Sequence, residues 1–187
     1  MFLSEDTKQR GRPSPMMFVS LGIGLVIAVA LIVVVSIATG GKVTNNPPSA
    51  LIGKEIPAFT GTDLAGQRVS APWKSGHPTL LVFLASWCAP CRQELPGLSA
   101  YLLSHNLGPT RVVGINYIDN PTSAKRLVAA DHFDFPVLPD SGAITQGDFY
   151  FSGLPDTVLI SSTGHVLAVH SGPTNNAQLA SELALAA

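Results

Sequence analysis

Thr79-Leu80-Leu81-Val82-Phe83-Leu84-Ala85-Ser86-Trp87-Cys88-Ala89-Pro90-Cys91-Arg92-Gln93-Glu94-Leu95-Pro96 is the stretch that decides how this chain is read. It opens with TLLVFL, an unbroken apolar run after Thr79, the pattern of a strand covered on both faces. A helical pattern begins at Pro90 and runs to about Ser104, with Pro96 inside it as an expected kink. Cys88 therefore falls between the end of a strand and the start of a helix, where unpaired backbone N–H groups and the helix dipole favour an anion. A thiol there ionises more readily, and the thiolate is the species that attacks a disulfide. Cys91 lies one turn further on. It is close enough to bridge Cys88 and expected to be less exposed, which suits it to resolve a mixed disulfide formed at Cys88.

These are the only two cysteines in 187 residues. A secreted scaffold stabilised by disulfides needs more of them at wider spacing, and the loop closed here is too short to stabilise a fold much. Two packing cysteines would need neither strand-end placement nor Pro90. A zinc half-site would need two further ligands at suitable spacing, yet His77, His105, His132, His165 and His170 stand isolated along the chain. A redox pair uses every one of these features, so no metal and no cofactor is expected.

Outward from this segment, strands and helices alternate. Short extended pieces are expected at Ala58–Thr60 and Arg68–Ser70. Thr110–Tyr117 (TRVVGINY) reads as a second central strand, and Pro121–Ala130 as a helix. Asp156–Ser161 and His165–His170 read as a hairpin about Ser162-Thr163-Gly164, followed by a helix over Asn175–Leu185. A β-α-β unit followed by a β-β-α unit implies an α/β domain with a central mixed sheet and helices on both faces.

A mean hydropathy of +0.32 with only 12% charged residues is high for a soluble domain. The excess sits in Phe18–Ala38 (FVSLGIGLVIAVALIVVVSIA), which carries no charge. As a helix its 21 residues span about 30 Å, enough to cross a hydrocarbon core. A cleavable signal peptide would have a shorter apolar core ending at a small-x-small site, which Ala38-Thr39-Gly40 imitates only loosely. No cysteine follows the run to carry a lipid. Lys8, Arg10 and Arg12 precede it and Lys42 follows, so the positive-inside rule keeps the N-terminus in the cytoplasm. The expected layout is a cytoplasmic tail (1–17), a transmembrane anchor (18–38), a Pro/Gly-rich tether (39–50) and an extracytoplasmic domain (51–187), where disulfide exchange is ordinary chemistry. With a net charge of −1 and no charged block, nothing points to nucleic acid.

ASWCAPCRQELP preceded by TLLVFL resembles the active-site segment of thioredoxin-like proteins, and more narrowly the TlpA-like, cytochrome c-biogenesis branch of CcmG/ResA type. Ile52–Phe59 with Thr62–Gln67 is similar to that branch's opening "GKxxPxF…DLxG" hairpin, and Val113–Asp119 to its "VGVNYKD" strand. The likeness runs in order from about Leu51 to Gly172. It implies a thioredoxin-like fold, and it implies that Pro155 in Gly153-Leu154-Pro155-Asp156-Thr157 is a cis proline facing the cysteines. The backbone of Leu154 would then turn outward beside Cys88 to pair with a substrate chain. It also implies that Glu94, one turn beyond Cys91, tunes the buried thiol or moves its proton. Ordinary thioredoxins carry a buried Asp six residues before the first cysteine; here that position is Val82. The alternative for Glu94 is a solvated charge paired with Arg92 or a residue elsewhere. Trp87 is expected to pack beside the disulfide and shield it, with ordinary core packing as the alternative. Asp119 is a candidate for substrate contact or loop solvation. Phe149, Tyr150 and Phe151 read mainly as core.

Strongly oxidising pairs hold the attacking thiolate with an extra donor or charge between the cysteines. Ala89-Pro90 supplies only one backbone N–H, which leans toward a reductant. With no nicotinamide or flavin motif in the chain, electrons are expected from a membrane thiol carrier. The resemblance implies the Cys-x-x-Cys-His site of apocytochrome c as substrate. Two rivals are a disulfide oxidase for exported proteins and a copper-binding assembly module on the same fold.

Overall fold

The computed structural model describes residues 50–140 and 153–186, all within one unit, Asn46–Ala187. The expected tail and anchor, nearly all of the tether, and Phe149–Phe151 lie outside the described residues. Among the described residues no helix is long and apolar enough to cross a membrane.

In chain order the elements are β1 (Thr60–Thr62), β2 (Arg68–Ser70), β3 (Thr79–Leu84), α1 (Ala89–Ser104), β4 (Arg111–Tyr117), α2 (Pro121–Ala130), β5 (Val137–Asp140), β6 (Asp156–Ile160), β7 (Val166–Ser171) and α3 (Asn176–Leu183). Five strands form one mixed sheet in the order β5-β4-β3-β6-β7, with β3, β4 and β5 parallel and β6 and β7 antiparallel. The apolar run of β3 is buried along its whole length at the centre of this sheet, as a two-faced strand must be.

Alternation along the strands separates two cores. Leu80, Val82 and Leu84 of β3, with Val112 and Leu159, meet Leu95, Leu98 and Leu102 of α1, Ala124 and Leu127 of α2, and Leu179 of α3. On the opposite face Leu81, Phe83, Val113, Ile115, Val158 and Ile160 meet Leu51, Ile56, Ala71 and Trp73. The expected central mixed sheet with packed helices is observed, and residues 141–152, between β5 and β6, lie outside the described residues. Every α-helix among the described residues lies on one face, and the N-terminal segment covers the other. Trp73 is the reason that segment suffices, because its large ring fills the second core edge-on to Phe59. Gly164, in the β6–β7 turn at φ +90°, leaves room for it: a Cβ there would lie 3.0 Å from the Trp73 ring.

Besides shifts of one or two residues at other element ends, the structure departs from the sequence reading at the first strand, at the cysteine helix and at β5. The first strand is Thr60–Thr62 rather than Ala58–Thr60, its register set by a turn in which Asp63 Oδ1 accepts from the backbone N–H of Gln67 at 2.7 Å. The cysteine helix starts at Ala89 and continues through Pro96 to Ser104. Strand β5 has no counterpart in the sequence reading. Its four residues contain Pro139, which removes a ladder donor and is tolerated because β5 is an edge strand. It pairs beside Gly114, where a Cβ would sit 2.8 Å from Val137 Cγ2.

Candidate active site

Cys88 and Cys91 are joined in a disulfide at the N-terminus of α1. Cys88 is the N-cap residue in extended conformation, and its Sγ accepts a hydrogen bond from the backbone N–H of Cys91 at 3.1 Å. The donor at the sulfur is thus Cys91, not the Ala89 N–H considered from sequence. In the reduced state the same N–H and the helix dipole would stabilise a thiolate at Cys88. The expected contrast in exposure is slight, 4% for Cys88 and 2% for Cys91. Exposure therefore does not distinguish the two sulfurs; what differs is that Cys88 alone occupies the helix N-cap.

Asp119 builds the approach to Cys88. Its Oδ2 accepts from the Ser86 backbone N–H at 2.6 Å and from Asn116 Nδ2 at 3.0 Å; its Oδ1 accepts from the Ser86 hydroxyl and the Asn120 N–H, each at 2.7 Å. Burial would raise the Asp119 pKa, but these four bonds outweigh it and hold the carboxyl below the usual aspartate value. Neither sequence alternative, substrate contact or loop solvation, describes this role. The residue ties the β4–α2 loop to the loop carrying Trp87 and Cys88, and 33 residues separate it from Ser86, so no local motif marks the pairing.

Trp87 follows from the same junction. It is 57% exposed rather than packed in the core. Its Nε1 donates to the carbonyl of Ile118 at 3.0 Å, and its ring lies 6.4 Å from that of Tyr117. Ile118 adopts φ +37° and is itself half exposed. A β-branched residue is disfavoured in that region. The satisfied indole N–H fixes Trp87 against the neighbouring loop instead of the interior.

The Leu154–Pro155 bond is cis. Pro155 is buried, and Leu154 packs partly buried against a small apolar cluster of Ala85, Cys88 and Cys91. Three segments distant in sequence (residues 85–91, 117–120 and 154–155) thus meet around the disulfide.

Glu94 is half-buried on α1, and its Oε1 accepts from the backbone N–H of Thr174 at 2.8 Å. Its contact is therefore with the segment leading into α3 rather than with Arg92, which is exposed. Burial raises its pKa, opposed by the Thr174 hydrogen bond and the His170 charge. Among the described residues no group of three or more His, Cys, Asp or Glu is arranged to hold a metal ion.

Residues 52–169 match the AhpC/TSA family. The chain is 32% identical over 165 residues to the thiol:disulfide interchange protein DsbE of Yersinia pestis, covering 86% of each chain. It is 28% identical over 128 residues to the thiol-disulfide oxidoreductase ResA of Bacillus cereus, covering 68% of this chain and 74% of that one. The fold is similar to the crystal structure of StoA from Bacillus subtilis, with a TM-score of 0.60 and 25% identity over 67% of this chain and 96% of that one.

Proposed function

Because the chain belongs to the AhpC/TSA family and is a thiol–disulfide oxidoreductase of the ResA and DsbE type, we propose that it works as a protein-disulfide reductase held at the outer face of a membrane. The observation that carries this reading is the disulfide placed on a helix N-terminus, with Cys88 Sγ accepting the Cys91 N–H. In the reduced protein the Cys88 thiolate attacks one sulfur of a client disulfide and releases the other as a thiolate. Cys91 then gives up its proton and attacks Cys88 Sγ. The second client thiol leaves, and the Cys88–Cys91 disulfide has received the oxidising equivalents. Glu94 serves as the acceptor for the Cys91 proton. Trp87, Leu154 and Pro155 receive the client chain. A membrane thiol carrier returns two electrons to the pair.

The reducing direction is supported by Ala89-Pro90, which adds no charge between the cysteines. An outward location is supported by the uncharged stretch 18–38 with its basic N-terminal flank. The favoured client is the Cys-x-x-Cys-His segment of apocytochrome c, kept as a dithiol for haem attachment.

The direct test is to express the full chain as Cys91→Ala and identify what is held in mixed disulfides. Cys88-linked client chains should accumulate, and the Cys88→Ala variant should trap none. Trapping by Cys88→Ala alone would reverse the two roles. A reduction potential of the wild type near −120 mV, rather than toward about −270 mV, would instead make it an oxidase.

A further inference from the structure

Beneath α1 the sheet presents one transverse row of paired residues: Gly114 on β4, Val82 on β3, Thr157 on β6 and His170 on β7. Residues directly paired across strands share a face, and Val82 is in the core that also holds Leu95 and Leu98 of α1. Val82 brings no group able to take a proton. The Thr157 hydroxyl beside it is buried and has no hydrogen-bond partner among the described residues. His170 ends the row.

The contacts of His170 constrain where its protons sit. Nε2 is 3.3 Å from the carbonyl oxygen of Pro173, which can only accept, so Nε2 carries an N–H. Nδ1 faces Glu182 Oε1 of α3 at 3.7 Å. A neutral ring with its proton on Nε2 would turn a lone pair at Nδ1 toward a carboxylate. The approach is favourable only with a proton held there, on the ring or on Glu182. The next residue, Thr174, donates its N–H to Glu94. Consecutive backbone groups of Pro173 and Thr174 thus tie His170 and Glu94 to one short segment. The His170 charge acts on both Glu94 and Glu182, two carboxylates whose burial favours the protonated form. The carboxylates on which the His170 charge acts are Glu94 from α1 and Glu182 from α3; β6 contributes the uncharged Thr157, paired with His170 across the sheet.

We propose that His170 is a positioning residue of the redox centre: together with Glu182 it holds a cation beside Glu94, keeping that carboxylate ionised to accept the proton of Cys91. This rests on the reductase reading above, in which Cys91 must become a thiolate to close the disulfide. The proton passes from Cys91 Sγ to Glu94, the Cys91 thiolate attacks Cys88 Sγ, and the client leaves as a thiolate that takes a proton from solvent. No further redox partner enters. An imidazolium, unlike a fixed cation, loses its charge as pH rises, so the proposal predicts a pH-dependent resolving step.

The test follows the rate at which the reduced full-length protein reduces a disulfide-bridged peptide, as a function of pH. His170→Gln should slow resolution roughly three- to tenfold near pH 6 and leave it little changed near pH 9, because an opposite charge nearby is what favours the ionised carboxylate. His170→Arg, a fixed cation, should restore the rate near pH 6. A His170→Gln profile superimposable on wild type would overturn the proposal, as would His170→Arg being as slow as His170→Gln. Should His170→Gln fail to fold, the Glu94 carboxyl ¹³C shift in the wild type decides. It should titrate in two steps, one following the His170 imidazole signals, and a single step independent of them would overturn it. If the wild type exchanged with no disulfide at any pH, the reductase reading itself would fall instead.

Discussion

Asp119 holds Ser86 by both its backbone N–H and its hydroxyl, while also accepting from Asn116 and Asn120. Replacing it by Ala leaves several donors without a charged acceptor, so Asp119→Ala should lower stability by about 1–3 kcal/mol in denaturant unfolding. It should also slow client reduction, because the loop before Cys88 is no longer fixed. Its folded pKa is depressed, so its contribution is complete above the unfolded aspartate value of about 3.9 and disappears as pH falls through the lower folded value. Asp119→Asn should therefore be weaker at neutral pH and show a shallower acid loss below about pH 4; acid curves parallel to wild type would contradict this. Glu94 has the opposite sign. Its folded pKa lies above 4.5, so its favourable contribution is full below that value and lost as pH rises through the folded one. Above the folded value the ionised, half-buried carboxylate is a liability. Glu94→Gln should be slightly more stable than wild type there, by under about 1 kcal/mol once solvent screening is allowed for, yet slower in resolving mixed disulfides. Lower stability with unchanged kinetics would make Glu94 a merely structural charge.

The helix beginning beside Cys88 was legible from one segment because an apolar strand, a short turn and a helix pattern follow one another there without interruption. Strand β5 was not. Four residues with a proline carry no period, and β5 is a strand because β4 offers it an edge. The pairing depends on Gly114, whose absent side chain makes room for Val137 and Phe133. Gly114→Ala would put a Cβ 2.8 Å from Val137 Cγ2 and 3.2 Å from Phe133 Cε1, and Val137 is too stiff to turn away. A loss of about 1–3 kcal/mol is expected in chemical denaturation, partly recovered by Val137→Ala in the same chain. Full wild-type stability of Gly114→Ala would mean that β5 shifts freely and is not anchored at this point. The last helix shows the contrary case of a local signal that suffices: Asn175 and Gln178 form a reciprocal capping box at its start.

For the whole chain, the proposed anchor leads to a test that no local feature supplies. The full-length protein should partition with membranes and resist salt extraction, and a variant lacking residues 1–38 should be released. A membrane-impermeant thiol reagent applied to intact cells after reduction should label Cys88 from outside. Labelling only after lysis would place the domain in the cytoplasm and remove the outward reading. The sequence by itself determined the redox pair, the strand and helix that flank it and the mixed α/β class, since each is written in contiguous residues whose period or spacing carries a chemical meaning; the family was legible through the resemblance of the cysteine segment to known motifs. Tertiary structure alone decided that Asp119 clamps Ser86, that Trp87 faces outward, and that Glu94 and His170 meet through Pro173 and Thr174. Those pairings join groups as far as 80 residues apart. A hydrogen bond or a shared charge across such a span leaves no pattern along the chain, because it exists only once the sheet has brought its ends together.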